Sequence, residues 1–107
     1  MIERADVDDV RIALSRGDQV IDVRTAEEYA ASHIAGSTLI PLFAVPLRMT
    51  ELERHRPVYV VCRSGARATQ ACTYLVEHGF DVHVLEGGIE AWSAAGQPVM
   101  TGTHSYA

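Results

Sequence analysis

Val58-Tyr59-Val60-Val61 runs without a polar break into Cys62-Arg63-Ser64-Gly65-Ala66-Arg67. Four β-branched or aromatic residues in a row predict a short strand buried on both faces, which only a sheet covered by helices on each side supplies. Beyond Ala66, the residues Ala71, Cys72, Leu75 and Val76 recur at helical spacing, and Gly79 stands where a helix-ending glycine belongs. A cysteine therefore opens a compact loop between a buried strand and a helix N-terminus. That end of a helix offers unpaired N–H groups and partial positive charge, and two arginines in six residues add full charges. Such surroundings favour the thiolate, the nucleophilic form of cysteine.

A lone cysteine ending a strand is more often simple packing. The flanking Arg63 to Arg67 reverse that judgement, because a buried strand end gains nothing from two arginines and a glycine. Gly65 suits a loop that curls its amides inward, where a Cβ would obstruct an approaching anion. Ser64 offers a hydroxyl, and a plain loop role suits it equally well.

The same alternation of strand and helix fills the rest of the 107 residues. Residues 1–4 suggest an edge strand. Asp6 caps a helix with Val7, Val10, Ala13 and Leu14 on one face. Val20-Ile21-Asp22-Val23 forms a second buried strand, ending at Asp22 and Arg24. Thr25 and Glu28 match a capping box for a short helix, and Thr38-Leu39-Ile40 gives a third strand. Pro46, welcome at a first helical position, suggests a helix from about Pro46 to Arg54. Asp81 to Leu85 reads as a further strand, Glu86-Gly87-Gly88 as a tight turn, and Ile89 to Ala95 as a last helix with Trp92 on its apolar side. The pattern argues for an α/β fold with a mostly parallel central sheet flanked by helices in three layers. Chemistry in such sheets gathers at the carboxyl ends of strands, where Cys62, Asp22 with Arg24, and Glu86 all fall. One domain over residues 1–100 is expected, followed by a flexible tail over 101–107.

Composition narrows the function. A net charge of −5 argues against general nucleic-acid binding. No apolar run reaches membrane-span length, and no basic-then-apolar leader opens the chain, so a cytoplasmic location is expected. Two cysteines ten positions apart do not form a disulfide framework. Cys72, on the apolar helix face, reads as packing. The five histidines are scattered without metal-ligand spacing, so neither a metal nor another cofactor is expected.

Three stretches together resemble the single-domain rhodaneses, the sulfurtransferase family. Val20 to Arg24 with Glu28-Tyr29, His33-Ile34-Ala35-Gly36-Ser37 and Ile40-Pro41 is similar to the family's first signature. Cys62 to Arg67 resembles the catalytic loop, and Leu85 to Trp92 with Ala95 to Val99 resembles the closing signature. Ser37 stands where alanine is usual and Ala68 where serine is frequent. The resemblance implies a rhodanese-like fold and a two-step sulfur transfer through a persulfide on Cys62, from a small anionic donor such as thiosulfate to cyanide or a thiol, with a sulfur-carrier protein as a further possible partner. It makes Cys62 the catalytic residue and Arg63, Ser64, Gly65, Ala66 and Arg67 the substrate-binding loop. Asp22, Arg24 and Glu86 are expected to support the loop, and Asp22 and Glu86 are placed to tie down one of its arginines. His33 reads as a turn-stabilising residue rather than a base.

Two other classes stand beside this one. A cysteine-based phosphatase or arsenate reductase also uses cysteine and arginine around an anion loop, but Cys62 and Arg67 enclose one residue fewer than that loop has. A non-catalytic binding or sulfur-sensing module would have no need of the nucleophile that Cys62 supplies.

Overall fold

A computed structural model of the chain describes residues 2–103. Its strands are β1 (Ile2–Ala5), β2 (Gln19–Asp22), β3 (Thr38–Leu39), β4 (Val58–Val61) and β5 (Val82–Leu85). Its helices are α1 (Val7–Ser15), α2 (Ala26–Ala31), α3 (Val45–Arg48), α4 (Ala66–Glu77) and α5 (Gly88–Ala94). The strands form one sheet in the order β1-β5-β4-β2-β3, with every pairing parallel. The expected α/β layer fold is therefore present, and β1 is an edge strand.

β4 sits in the middle and is buried along its whole length. Val58 and Val60 face one core, with Ala71, Cys72 and Leu75 of α4. Tyr59 and Val61 face the other, with Val10 and Ala13 of α1 and Trp92 of α5. The period of two along a strand sends alternate side chains to opposite faces, so an unbroken apolar run is what a strand between two helical layers requires.

Capping boxes fix the starts of α1 and α2. The Asp9 N–H donates to Asp6 Oδ1 at 2.8 Å while the Asp6 N–H donates to Asp9 Oδ2 at 2.9 Å. Thr25 and Glu28 make the same reciprocal exchange.

The helix expected over Pro46 to Arg54 is not continuous. Only Val45–Arg48 is α-helical, between 3-10 turns at Leu42–Ala44 and Met49–Glu51, and Leu52 is extended. The reason lies at the start of β2. The Gln19 carboxamide accepts from the Glu53 N–H at 2.6 Å and donates to the Glu53 carbonyl at 3.0 Å. Glu53 thus satisfies its backbone across the fold rather than along a helix, so no further turn is needed.

The chain closes against α2. Met100 and His33 exchange two backbone hydrogen bonds, at 2.7 and 2.9 Å, and the Gly102 N–H donates to the Ala30 carbonyl at 2.7 Å. Of the expected flexible tail, residues 104–107 lie outside the described residues, as does Met1 of the first strand. Among the described residues, no helix is long and apolar enough to cross a membrane.

Candidate active site

Cys62 follows β4 directly and its residue surface is 1% exposed. Arg63, Ser64 and Ala66 arch over it in exposed positions. The Gly65 N–H turns back and donates to Cys62 Sγ at 2.9 Å. Gly65 has φ +120°, a conformation that glycine alone adopts easily, while the space where its Cβ would lie is open. The backbone angle, more than crowding, calls for glycine here.

The loop is clamped from behind by the turn into α5. The N–H groups of Ile89 and Glu90 donate to the carbonyls of Cys62 and Arg63 at 2.8 and 3.2 Å. A trans peptide holds its N–H opposite its carbonyl. The N–H groups of Arg63 and Ser64 therefore point away from α5, and among the described residues neither has an acceptor. The first-turn N–H groups of α4 are likewise unpaired by helix geometry. The loop is a set of fixed donors beside a sulfur atom.

Gly88 makes the clamp possible. Its φ is +57°, and a Cβ there would run into the Cys62 carbonyl oxygen and sit 2.5 Å from that of Arg63. No side chain fits between α5 and the loop.

The loop arginines differ in role. Arg67 Nη1 and Nη2 donate to the two Glu28 carboxylate oxygens at 2.6 and 2.9 Å, a bidentate pair. Those hydrogen bonds raise the Arg67 pKa, with a smaller contribution from the charge of Cys62. Arg63 is 69% exposed in its side chain and meets Glu90 through one bond of 3.1 Å. The carboxylates on the loop are thus Glu28 and Glu90, and the expectation that Asp22 or Glu86 would take one of these arginines is corrected. Asp22 is bound instead to Arg24, with Nε and Nη2 at 2.8–3.1 Å from its oxygens, and the pair is buried. Glu86 is exposed and, among the described residues, its side chain pairs with Arg4 at 3.9 Å.

The sequence marks Glu28 as a capping residue and as part of the first signature, but not as the partner of Arg67. Its Oε1 accepts from the Thr25 backbone N–H and hydroxyl as well as from Arg67. The Arg67 hydrogen bond, with those from Thr25, lowers its pKa from 4.5 to about 2 against the cost of desolvation. A carboxylate whose folded pKa is depressed adds stability above its open-chain value and loses it as pH falls through the folded value. The pair therefore stabilises fully above about pH 4.5 and fails towards pH 2. With the two side chains 33% and 30% exposed, screening reduces its value to ~1 kcal/mol. Glu28→Gln retains a capping side chain and is expected to flatten the fall of melting temperature between those pH values. Melts across that range check it; an unchanged acid limb would place the acid sensitivity elsewhere.

Cys72 lies fully buried in the core beneath the loop. Burial, with the nearby charge of Cys62, pushes its thiol up to about 12. It stays protonated at neutral pH and is no nucleophile. His33 is buried and its ring stacks on Tyr29 at 3.7 Å, with Nδ1 2.7 Å from the Tyr29 carbonyl oxygen. Trp92 is buried and donates to the Pro98 carbonyl at 2.9 Å.

A groove of about 640 Å³ lies beside the loop, between α2 and α5, with Arg24 and Glu28 on one side, Ile89 and Glu90 on the other and Arg63 over its end. A smaller hollow of about 210 Å³, bordered by Gln19, Thr38 and Leu52, lies at the amino ends of β2 and β3, away from Cys62.

The model of the rhodanese-like domain family matches residues 6–95. The chain belongs to the rhodanese-like family. A sulfurtransferase of Allochromatium vinosum is 40% identical over 91 residues, covering 84% of this chain and 85% of that protein. The thiosulfate sulfurtransferase GlpE of Pseudoalteromonas translucida is 40% identical over 84 residues, covering 77% of this chain and 80% of its own. In structure, the rhodanese-like domain described here superposes on a rhodanese-related protein of Thermoplasma volcanium with a TM-score of 0.84 and 30% identity, over 92% of this chain and 97% of that one. The family's loop and closing turn, read from sequence as separate motifs, are here one hydrogen-bonded unit.

Proposed function

We propose that this rhodanese-like domain is a sulfurtransferase that carries sulfane sulfur on Cys62. The observation that carries the reading is the Gly65 N–H on Cys62 Sγ, inside a loop whose remaining amides are held open by α5. In the first step, the Cys62 thiolate attacks the outer sulfur of a donor such as thiosulfate. The donor's S–S bond breaks, sulfite leaves with the bonding pair, and Cys62 becomes a persulfide. In the second step, cyanide or an acceptor thiolate attacks the outer sulfur and the Cys62 thiolate departs. One transfer is divided into two displacements, and the loop donors stabilise negative charge on sulfur without reorganising. Neither step needs a general base, because a thiolate attacks and sulfite or a thiolate leaves.

The relative named a thiosulfate sulfurtransferase supports thiosulfate as a donor class. A direct test compares thiocyanate release from thiosulfate and cyanide with phosphate release from an aryl phosphate. Thiocyanate alone is expected, and phosphate release without it would overturn the reading in favour of a phosphatase.

Arg63 is the arginine placed to meet a donor, since it is exposed and held by one bond, whereas Arg67 is committed to Glu28. Arg63→Ala is expected to raise the KM for thiosulfate about three- to tenfold, and less for an uncharged persulfide donor. Added salt should weaken thiosulfate turnover in the same sense. Steady-state kinetics with both donors check this; equal effects on both would give Arg63 a structural role.

A further inference from the structure

The three arginines around the loop each carry a carboxylate of their own: Arg24 holds Asp22, Arg63 holds Glu90 and Arg67 holds Glu28. Their charges cancel in pairs. Among the described residues, the loop's backbone N–H groups are then the positive ends left to act on Cys62. The Arg67 pair stands at the helix start itself. Arg67 is the second residue of α4, two beyond the Gly65 whose N–H bonds the sulfur, and the charge of Cys62 contributes to its raised pKa. A guanidinium at that position, together with the open amides of a helix start, is a strong partner for a tetrahedral oxyanion. Glu28 takes both of its Nη groups.

Glu28 is itself fixed before Arg67 reaches it. Thr25 donates to Glu28 Oε1 from its backbone and its hydroxyl, at 3.0 and 3.1 Å, and the Glu28 N–H donates back to Thr25 Oγ1 at 3.2 Å. The carboxylate is thus anchored on α2 by the helix cap. The Arg67 and Glu28 side chains are 33% and 30% exposed, against 69% and 57% for Arg63 and Glu90, which meet through one bond. An incoming anion draws Arg63 away from Glu90 at little cost. Drawing Arg67 from a bidentate, partly buried partner is much harder. The difference matters because thiosulfate has two ends. Its outer sulfur must face Cys62 to be transferred, whereas its sulfonate end is the better ligand for a guanidinium.

Resting on the sulfur-transfer reading above, we propose that Glu28 is a positioning residue that withholds Arg67 from the loop's anion site. The loop then receives a single sulfur, and the donor's sulfonate is left to Arg63 at the exposed edge. A bound donor stands with its outer sulfur toward Cys62. Tetrahedral dianions such as sulfate, which have only oxygen to offer, meet amides without a guanidinium and bind weakly. With Glu28 neutral, Arg67 adds a full charge to the same amides, and the sulfonate end competes with the outer sulfur for them.

The test titrates inorganic sulfate into the protein at constant pH and ionic strength and follows the backbone amide resonances of Ser64 and Gly65. The wild-type protein is expected to half-saturate above about 10 mM sulfate. Glu28→Gln keeps a capping side chain and should half-saturate at about tenfold lower sulfate. Combining Glu28→Gln with Arg67→Gln removes both charges and should return the value to within about threefold of the wild type, which a merely structural role for Glu28 does not produce. In the thiocyanate assay, Glu28→Gln should show inhibition by excess thiosulfate that the wild type and the double variant lack. Tighter sulfate binding by the wild type overturns the proposal without any variant. So does a folded Glu28→Gln protein that binds sulfate no better than the wild type, or a gain that survives the loss of Arg67. The sulfate readings need no turnover, so they judge Glu28 apart from sulfur transfer, which fails instead if thiosulfate leaves no sulfur on Cys62.

Discussion

Cys62→Ala is expected to abolish thiocyanate formation from thiosulfate and cyanide, and Cys72→Ala to keep most of it at some expense in stability. The two thiols are ten residues apart and share one core cluster, so the contrast isolates environment from proximity. Cys62 Sγ accepts an amide N–H at the mouth of a helix. Cys72 is packed on the apolar face of α4 with its thiol pushed up to about 12. At neutral pH it has essentially no thiolate to offer, and it cannot substitute for the missing nucleophile. Removing its sulfur from a filled core should cost ~1–2 kcal/mol. Chemical denaturation and the thiocyanate assay, run on both variants, check the pair of outcomes. Full activity in folded Cys62→Ala would end the sulfurtransferase reading.

The second large effect belongs to a residue with no functional group. Gly88→Ala places a methyl against the carbonyls of Cys62 and Arg63 at a φ of +57°. Backbone cannot step aside as a flexible side chain does. The clash and the strained angle together should cost ~3 kcal/mol, or about 10–20 °C in melting temperature for a domain of this size. The expected failure is local before it is global. With α5 displaced, the N–H groups of Ile89 and Glu90 release the loop carbonyls and the amides around the sulfur lose their fixed aim. Activity in a still-folded sample should therefore fall further than stability alone explains, as measured by turnover below the melting transition. A variant with native turnover and a native melt would mean that the close approach of α5 is not what shapes the loop.

Much of this molecule is legible in its sequence because the decisive signals are local. The unbroken apolar run of β4, the helical recurrence of Ala71, Cys72 and Leu75, and the capping boxes each depend on neighbours within a few residues. The loop itself is legible for the same reason. What local pattern misses is a partner brought in from far along the chain. Glu28 reads as a helix cap and also holds Arg67, 39 residues away. Gln19 takes the backbone of Glu53 from 34 residues away, where the helix expected from Pro46 to Arg54 would have continued. The Glu86-Gly87-Gly88 turn is recognisable as backbone-exposing, but its contact with Cys62 follows only once β5 and β4 are paired. Arg24 is the same case: the Asp22 pairing is local, whereas the groove that it borders is made by α5, more than sixty residues later in the chain.

The central claim is that Cys62 carries sulfur covalently between donor and acceptor, and mass spectrometry of the protein after brief treatment with thiosulfate tests it most directly. One added sulfur is expected on the wild-type protein, localised by peptide mapping to Cys62, removed by cyanide and absent from Cys62→Ala. A folded wild-type protein that gains no sulfur, or one whose added sulfur maps to Cys72, would contradict the account.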